Sequence, residues 1–248
     1  MDNVLLDRYE GALRPARERL AGNRAMRAVL DTDTDPRTVE LMLTAYAVNG
    51  VAMVEPVEGW IRRAAERCLE LGYQELGDAL LRHAKSEAGH HRMMLSDLRL
   101  LTDSWNGRGL PPLDPDELLA RPPRPAVRQY IDLHEDAIAG PTPFVQIAIE
   151  YEIENLSAQY GSIIVEGCKA RLGDGVHGAL SFLVEHAKAD VGHTLFNRRQ
   201  MAGFLERNPA ALDDLVAAGT RALDVYGRCL DECLQFATDF QAEYMPVP

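Results

Sequence analysis

Along most of this chain apolar residues recur every three to four positions, the spacing that lines one face of an α-helix. Runs of strict apolar–polar alternation, the mark of a half-buried strand, are absent. The period predicts helices over about 2–21, 37–71, 73–102, 126–138, 142–172, 177–206 and 210–243, each end good to about two to four residues. Asp35-Pro36 and Asn208-Pro209 each set a capping side chain beside a proline suited to a first turn. Gly72, Gly140 and Gly173 follow apolar-periodic segments, where a helix end tolerates positive φ. The expected fold class is all-α, a bundle of about seven helices in a single domain over residues 1–248.

Two segments interrupt the pattern. Asn106 to Pro125 holds six prolines and two glycines, a density that excludes helix interior and strand ladder alike. It reads as a spacer, with a short turn at Asp114 to Leu119. In the second helix, Pro56 breaks the apolar run VAMVEPVEGW and should kink it. Glu55 stands just before that proline among valines and a methionine. It either ligates a metal or stabilises the kink.

Composition narrows the function classes. Hydrophobic residues make up 46% of the chain, a globular value. The formal net charge is -12, which repels nucleic-acid phosphates and anionic membrane surfaces. No apolar stretch is long enough to span a bilayer, and the first residues lack the basic-then-apolar pattern of a secretion signal. Cys68, Cys168, Cys229 and Cys233 form neither a disulfide framework nor a zinc pattern. A cytoplasmic protein with buried free thiols is expected.

The chemistry sits in an internal repeat. Residues 83–90 read HAKSEAGH and residues 186–193 read HAKADVGH, identical at five of eight positions with Glu87 answered by Asp190. His186, Asp190 and His193 have the spacing i, i+4, i+7, which lines one helix face; His83, Glu87 and His90 repeat it. Two such faces opposed would converge imidazoles and carboxylates, the way helical bundles hold two iron or manganese ions. A donor set without thiolate favours iron or manganese over zinc or a cluster. One His-x3-Asp alone is usually a surface pair, but five of the seven histidines lie in or beside the two motifs. A further carboxylate is expected from the segment IAIEYEIENLSAQYGS, with Glu154 favoured as the ligand and Glu150 a near second. Tyr151 and Tyr160 are candidate pocket residues. His83 either ligates or only packs.

With H-x3-D-x2-H at 186–193, E-x2-H at 87–90 and a glutamate on the intervening helix, the chain resembles the heme-oxygenase-like diiron oxidases and oxygenases over Thr38 to about Arg207. The resemblance implies metal ligation by Glu87, His90, Glu154, His186, Asp190 and His193, with Glu55 as the further glutamate some members carry. Other members have a carboxylate where His83 stands, a departure from their pattern. It also implies two Fe(II) ions per chain, the second labile, with O2 as co-substrate. The expected activity is oxidation of a small amine or amino-acid-derived substrate by N-oxygenation, desaturation or C–C cleavage in natural-product biosynthesis. The alternatives are a cofactor-free relative of the thiaminase or quinone-biosynthesis type, and a non-enzymatic iron-binding helical protein. A homodimer with no nucleic-acid or membrane partner is expected.

Overall fold

A computed structural model describes residues 4–245. Among them every regular element is helical: α1 (Val4–Ala21), α2 (Arg24–Leu30), α3 (Pro36–Val54), α4 (Val57–Glu70), α5 (Gln74–Ser86), α6 (His91–Asn106), α7 (Pro115–Ala120), α8 (Pro125–Ala139), α9 (Gln146–Leu172), α10 (Ser181–Arg207) and α11 (Leu212–Tyr244), with short 3₁₀ turns before α9, α10 and α11. Residues 2 and 3 of the first predicted helix lie outside the described residues.

The all-α expectation holds, with eleven α-helical segments rather than seven. Two predicted helices each split in two. Pro56 does more than kink: α3 ends at Val54 and α4 restarts at Val57. The second split falls inside the first HAK motif. Two short helices, α2 and α7, were too brief for periodicity to reveal as helices. Asp114 caps α7 by accepting from the backbone N–H of Asp116 and Glu117, at 2.9 and 3.2 Å. Asp35 caps α3 as expected, accepting from Arg37 N–H at 3.0 Å. Asn208 behaves differently: its amide donates to Phe204 O at 3.0 Å, so it closes α10 rather than opening α11. Gly140 is extended, at φ -78°, and uses no left-handed backbone.

Helices α9 and α10 form the most intimate pair. Residues 154 and 197 meet at one end and 161 and 187 farther along, so the pair is antiparallel. At Gly161 the helices come so close that an added Cβ would stand 2.9 Å from Ala187 Cβ. That contact sits one residue from His186 and fixes how α10 presents its polar face to α9. On its far side, α9 is tied to α1 through buried Glu152, which accepts from Arg17 at 2.7 and 2.8 Å and from the Tyr9 hydroxyl at 3.0 Å. Removing Arg17 would leave a buried charge uncompensated, at a cost of about 3–5 kcal/mol. A second wall forms where α3 faces α11, with the Tyr46 and Tyr226 hydroxyls 3.2 Å apart. No described helix is long and apolar enough to cross a membrane.

Candidate metal centre

The two HAK motifs fold differently despite their shared sequence. The copy at 186–193 is helical throughout, and α10 runs on to Arg207. The copy at 83–90 stops being helical after Ser86. Gly89 has φ +84°, a left-handed conformation that only glycine adopts cheaply. The Ser86 hydroxyl donates to His83 O at 2.6 Å as the helix closes. The expectation that His83, Glu87 and His90 share one helical face is therefore corrected: Glu87 ends α5, and His90 immediately precedes α6.

That break gathers the side chains. His83, Glu87, Glu154 and His193 each offer one donor atom, and these four atoms lie within 4.8 Å of one another. Glu87, His90 and His186 form a second such group. Glu87 belongs to both. Its Oε1 lies 3.4 Å from His193 Nδ1 and its Oε2 lies 3.1 Å from His90 Nδ1. Glu154 Oε1 stands 3.0 Å from His83 Nε2 and 3.5 Å from His193 Nδ1. Asp190 Oδ1 is 3.4 Å from the same nitrogen.

These are ion-pair distances without the geometry of hydrogen bonds. His83 Nε2, Glu87 Oε1, His90 Nδ1, Glu154 Oε1, Asp190 Oδ1 and His193 Nδ1 are all buried and none has a hydrogen bond of acceptable geometry. Six such atoms in one place are costly unless something else satisfies them. A cation is what imidazole nitrogens and carboxylate oxygens can share. The remaining atoms of the donors are held. Asn197, fully buried on α10, donates to Glu154 Oε2 at 2.5 Å and leaves Oε1 turned inward. His186 Nδ1 bonds Phe182 O at 2.9 Å and its ring stacks on Phe182 at 3.8 Å, which frees Nε2 for a ligand. Four histidines and three carboxylates without a thiolate fit iron or manganese.

Electrostatics express the same crowding. Burial works against charge on His83, but Glu154 beside it outweighs burial and holds the imidazole up at about 9. Asp190 and Glu154 raise His193 to about 10. Burial works against the Glu87 carboxylate too, yet His90, with His83 and His193, brings it below its ordinary value. Burial raises Asp190. Positive charge on the imidazoles thus offsets the carboxylates, and a metal cation would have to displace those protons.

The structure brings together Glu87, His90, Glu154, His186, Asp190 and His193, and adds His83. It does not bring Glu55 to them. Glu55 is exposed at the end of α3, where Pro56 turns the chain, and its backbone N–H bonds Val51 O. Glu150 lies one turn before Glu154, in neither donor group. Gln146 donates to its Oε1 at 2.5 Å, and burial lifts its pKa to about 8. Tyr151 turns away to donate to Glu10 at 2.5 Å, and Tyr160 lines a surface hollow against α1. Sequence did not mark Asn197; its one signal is a place four residues after His193 on the same helical face.

A cavity adjoins the cluster. Glu87, Glu154, His186 and Asp190 form one wall, and Met53, Val57, Met94, Tyr130, Ile153 and Phe182 are among the rest. All four cysteines are free and buried.

No protein-family model and no curated protein sequence matches the chain. Solved structures do. One is a domain of unknown function with a heme oxygenase-like fold from Shewanella denitrificans OS217, at TM-score 0.75 and 19% identity, covering 100% of this chain and 98% of that one. Another is a TenA homolog from Pseudomonas syringae pv. tomato str. DC3000, at TM-score 0.73 and 15% identity, covering 95% of this chain and 96% of that one. Agreement over the whole length of both chains, together with the all-helical architecture, gives this protein a heme-oxygenase-like fold.

Proposed function

We propose that the chain is a non-heme diiron oxygenase or oxidase that uses O2 to oxidise a small amine or amino-acid-derived substrate in natural-product biosynthesis. One observation carries the reading: Glu87 is shared by two donor groups, and His83 Nε2, Glu87 Oε1, His90 Nδ1, Glu154 Oε1 and His193 Nδ1 among their atoms are buried without hydrogen bonds. His83, Glu154 and His193 would hold one ion and His90 and His186 the other, with Glu87 common to both and Asp190 alongside. Ferrous ions bound there would supply the electrons for O2 reduction that side chains lack.

The chain's own groups do the rest. Phe182 and the Phe182 carbonyl orient His186, and Asn197 orients Glu154. Apolar side chains from α3, α9 and α11 line the cavity beside the cluster. Glu150 lines the same cavity; burial lifts its carboxyl to about 8, and Gln146 holds its Oε1.

A cofactor-free hydrolase would need an activated cysteine. Burial pushes both Cys229 and Cys233 far above the ordinary thiol value, the second to about 12, and only a thiolate is nucleophilic. No observation favours that reading. The test is anaerobic loading with Fe(II) followed by rapid mixing with O2. A transient near-visible absorption is expected; iron that binds and then oxidises with no transient, yielding only mineral iron, would instead indicate an iron store.

A further inference from the structure

The cavity beside the donor cluster does not end there. A second apolar cavity lies next to it, roofed by Ala25, Met26 and Val29 of α2. The two share five wall residues: Tyr46, Ser157, Tyr226, Leu230 and Cys233. They offer about 80 Å³ beside the cluster and about 70 Å³ beyond it. Tyr46 and Tyr226 reach toward each other at the shared boundary, where their hydroxyls are 3.2 Å apart.

We propose that these cavities are two halves of one channel, and that the substrate carries a linear aliphatic chain lying along it, its reactive amine end at the cluster and its tail past Tyr46 and Tyr226 beneath α2. The proposal rests on the functional reading above and extends it.

Three features select this class of molecule. Neither half of the channel is lined by a lysine or arginine, so nothing along it pairs with an anionic body. The outer half carries no charged side chain at all, its lining being aliphatic apart from the two phenols, Ser157 and Cys233. A charged or hydrogen-bonding tail would there lose its water without replacement. Shape decides between a chain and a ring. Each half alone is small, and the hydrogen-bonded Tyr46 and Tyr226 hydroxyls close the space between the two phenols, so a flexible chain passes beside that pair, along Ser157 and Leu230, where a fused ring is too wide. Chain-length preference would then be set by Ser157, Tyr46 and Tyr226.

The test measures binding, so it does not depend on turnover. Protein loaded anaerobically with Fe(II) is titrated with n-alkylamines from butyl to dodecyl by calorimetry, and bound iron is counted in the same samples. Affinity should rise about four-fold per added methylene until the channel is full, then level off. Ser157→Phe, which fills the junction, should move the plateau to shorter chains and weaken long amines more than short ones. Should that variant fail to fold, Met42→Trp obstructs the outer half from α3 and carries the same expectation. Affinity independent of chain length, or an obstruction that weakens every amine equally, would overturn the channel. If the chain-length pattern appears without bound iron, the channel stands and the diiron reading falls. If two irons bind and the pattern is absent, the reverse holds.

Discussion

At the scale of single residues, the identity and the placement of the candidate donors were legible to different degrees. His186, Asp190 and His193 needed only the helical period, because all three sit on α10 and nothing interrupts it. One face of α9 marked both Glu150 and Glu154, and Glu154, the favoured one, is the one that reaches the cluster. Glu55 was misleading for a physical reason: its apolar neighbours suggested burial, but Pro56 ends the helix there and turns the carboxylate outward. His83 could not be decided from sequence, because whether a helical histidine packs or ligates depends on what faces it. Asn197 offered no chemistry of its own to notice. Its value lies in what it does to Glu154: a 2.5 Å bond to Oε2 fixes which oxygen points inward. Asn197→Leu should therefore weaken iron binding by about 10- to 100-fold, as loss of a ligand's supporting hydrogen bond does. Asn197→Gln should recover part of it. Anaerobic Fe(II) titration of the two variants measures this, and unaltered affinity in Asn197→Leu would show that Glu154 needs no support.

At the scale of elements, sequence similarity concealed a structural difference. Two copies of HAK-x-[D/E]-x-G-H read as two equivalent helices, yet only one glycine, Gly89, takes positive φ, while Gly192 remains inside α10. The turn at Gly89 is what lets Glu87 and His90 approach the cluster from a helix end rather than along a helix side. Local periodicity carries no information about such a break when the glycine also suits a helix. The α9–α10 contact is equally invisible in sequence and equally consequential. Gly161 lies against Ala187, next to His186, so a larger side chain must push the two ligand-bearing helices apart. Gly161→Leu should cost about 1–3 kcal/mol of stability through overpacking and should loosen iron retention as well. Gly59, on α4, has open space around its Cβ, so Gly59→Ala should be neutral or slightly stabilising. Thermal unfolding of both variants, with iron content after dialysis, separates a local steric effect from a general sensitivity of glycines. Equal losses at the two positions would contradict the close-approach account.

At the scale of the whole molecule, the fold class was accessible because helical period and breaker residues dominate the chain. The order of the long helices and the proline-rich spacer between α6 and α8 follow directly from them. Three-dimensional adjacency was not accessible. Nothing in sequence says that α3 and α11 face each other across a channel, or that a short α2 roofs its outer end. Those facts arise from packing, where non-local contacts decide, and they bear on substrate more than on metal. The fold itself does not specify the reaction, since one scaffold hosts many chemistries. The proposed reaction rests instead on the donor cluster, and there on Glu87. If that carboxylate is shared, the protein holds two ions and loses both sites' integrity when Glu87 is removed. Equilibrium dialysis under anaerobic conditions with excess Fe(II), comparing the wild-type chain with Glu87→Ala, measures this directly. The account predicts about two irons per wild-type chain, with a dinuclear spectroscopic signature such as magnetic coupling between the ions, and less than one per Glu87→Ala chain. Well under one iron per wild-type chain, or the same iron content in both, would contradict it.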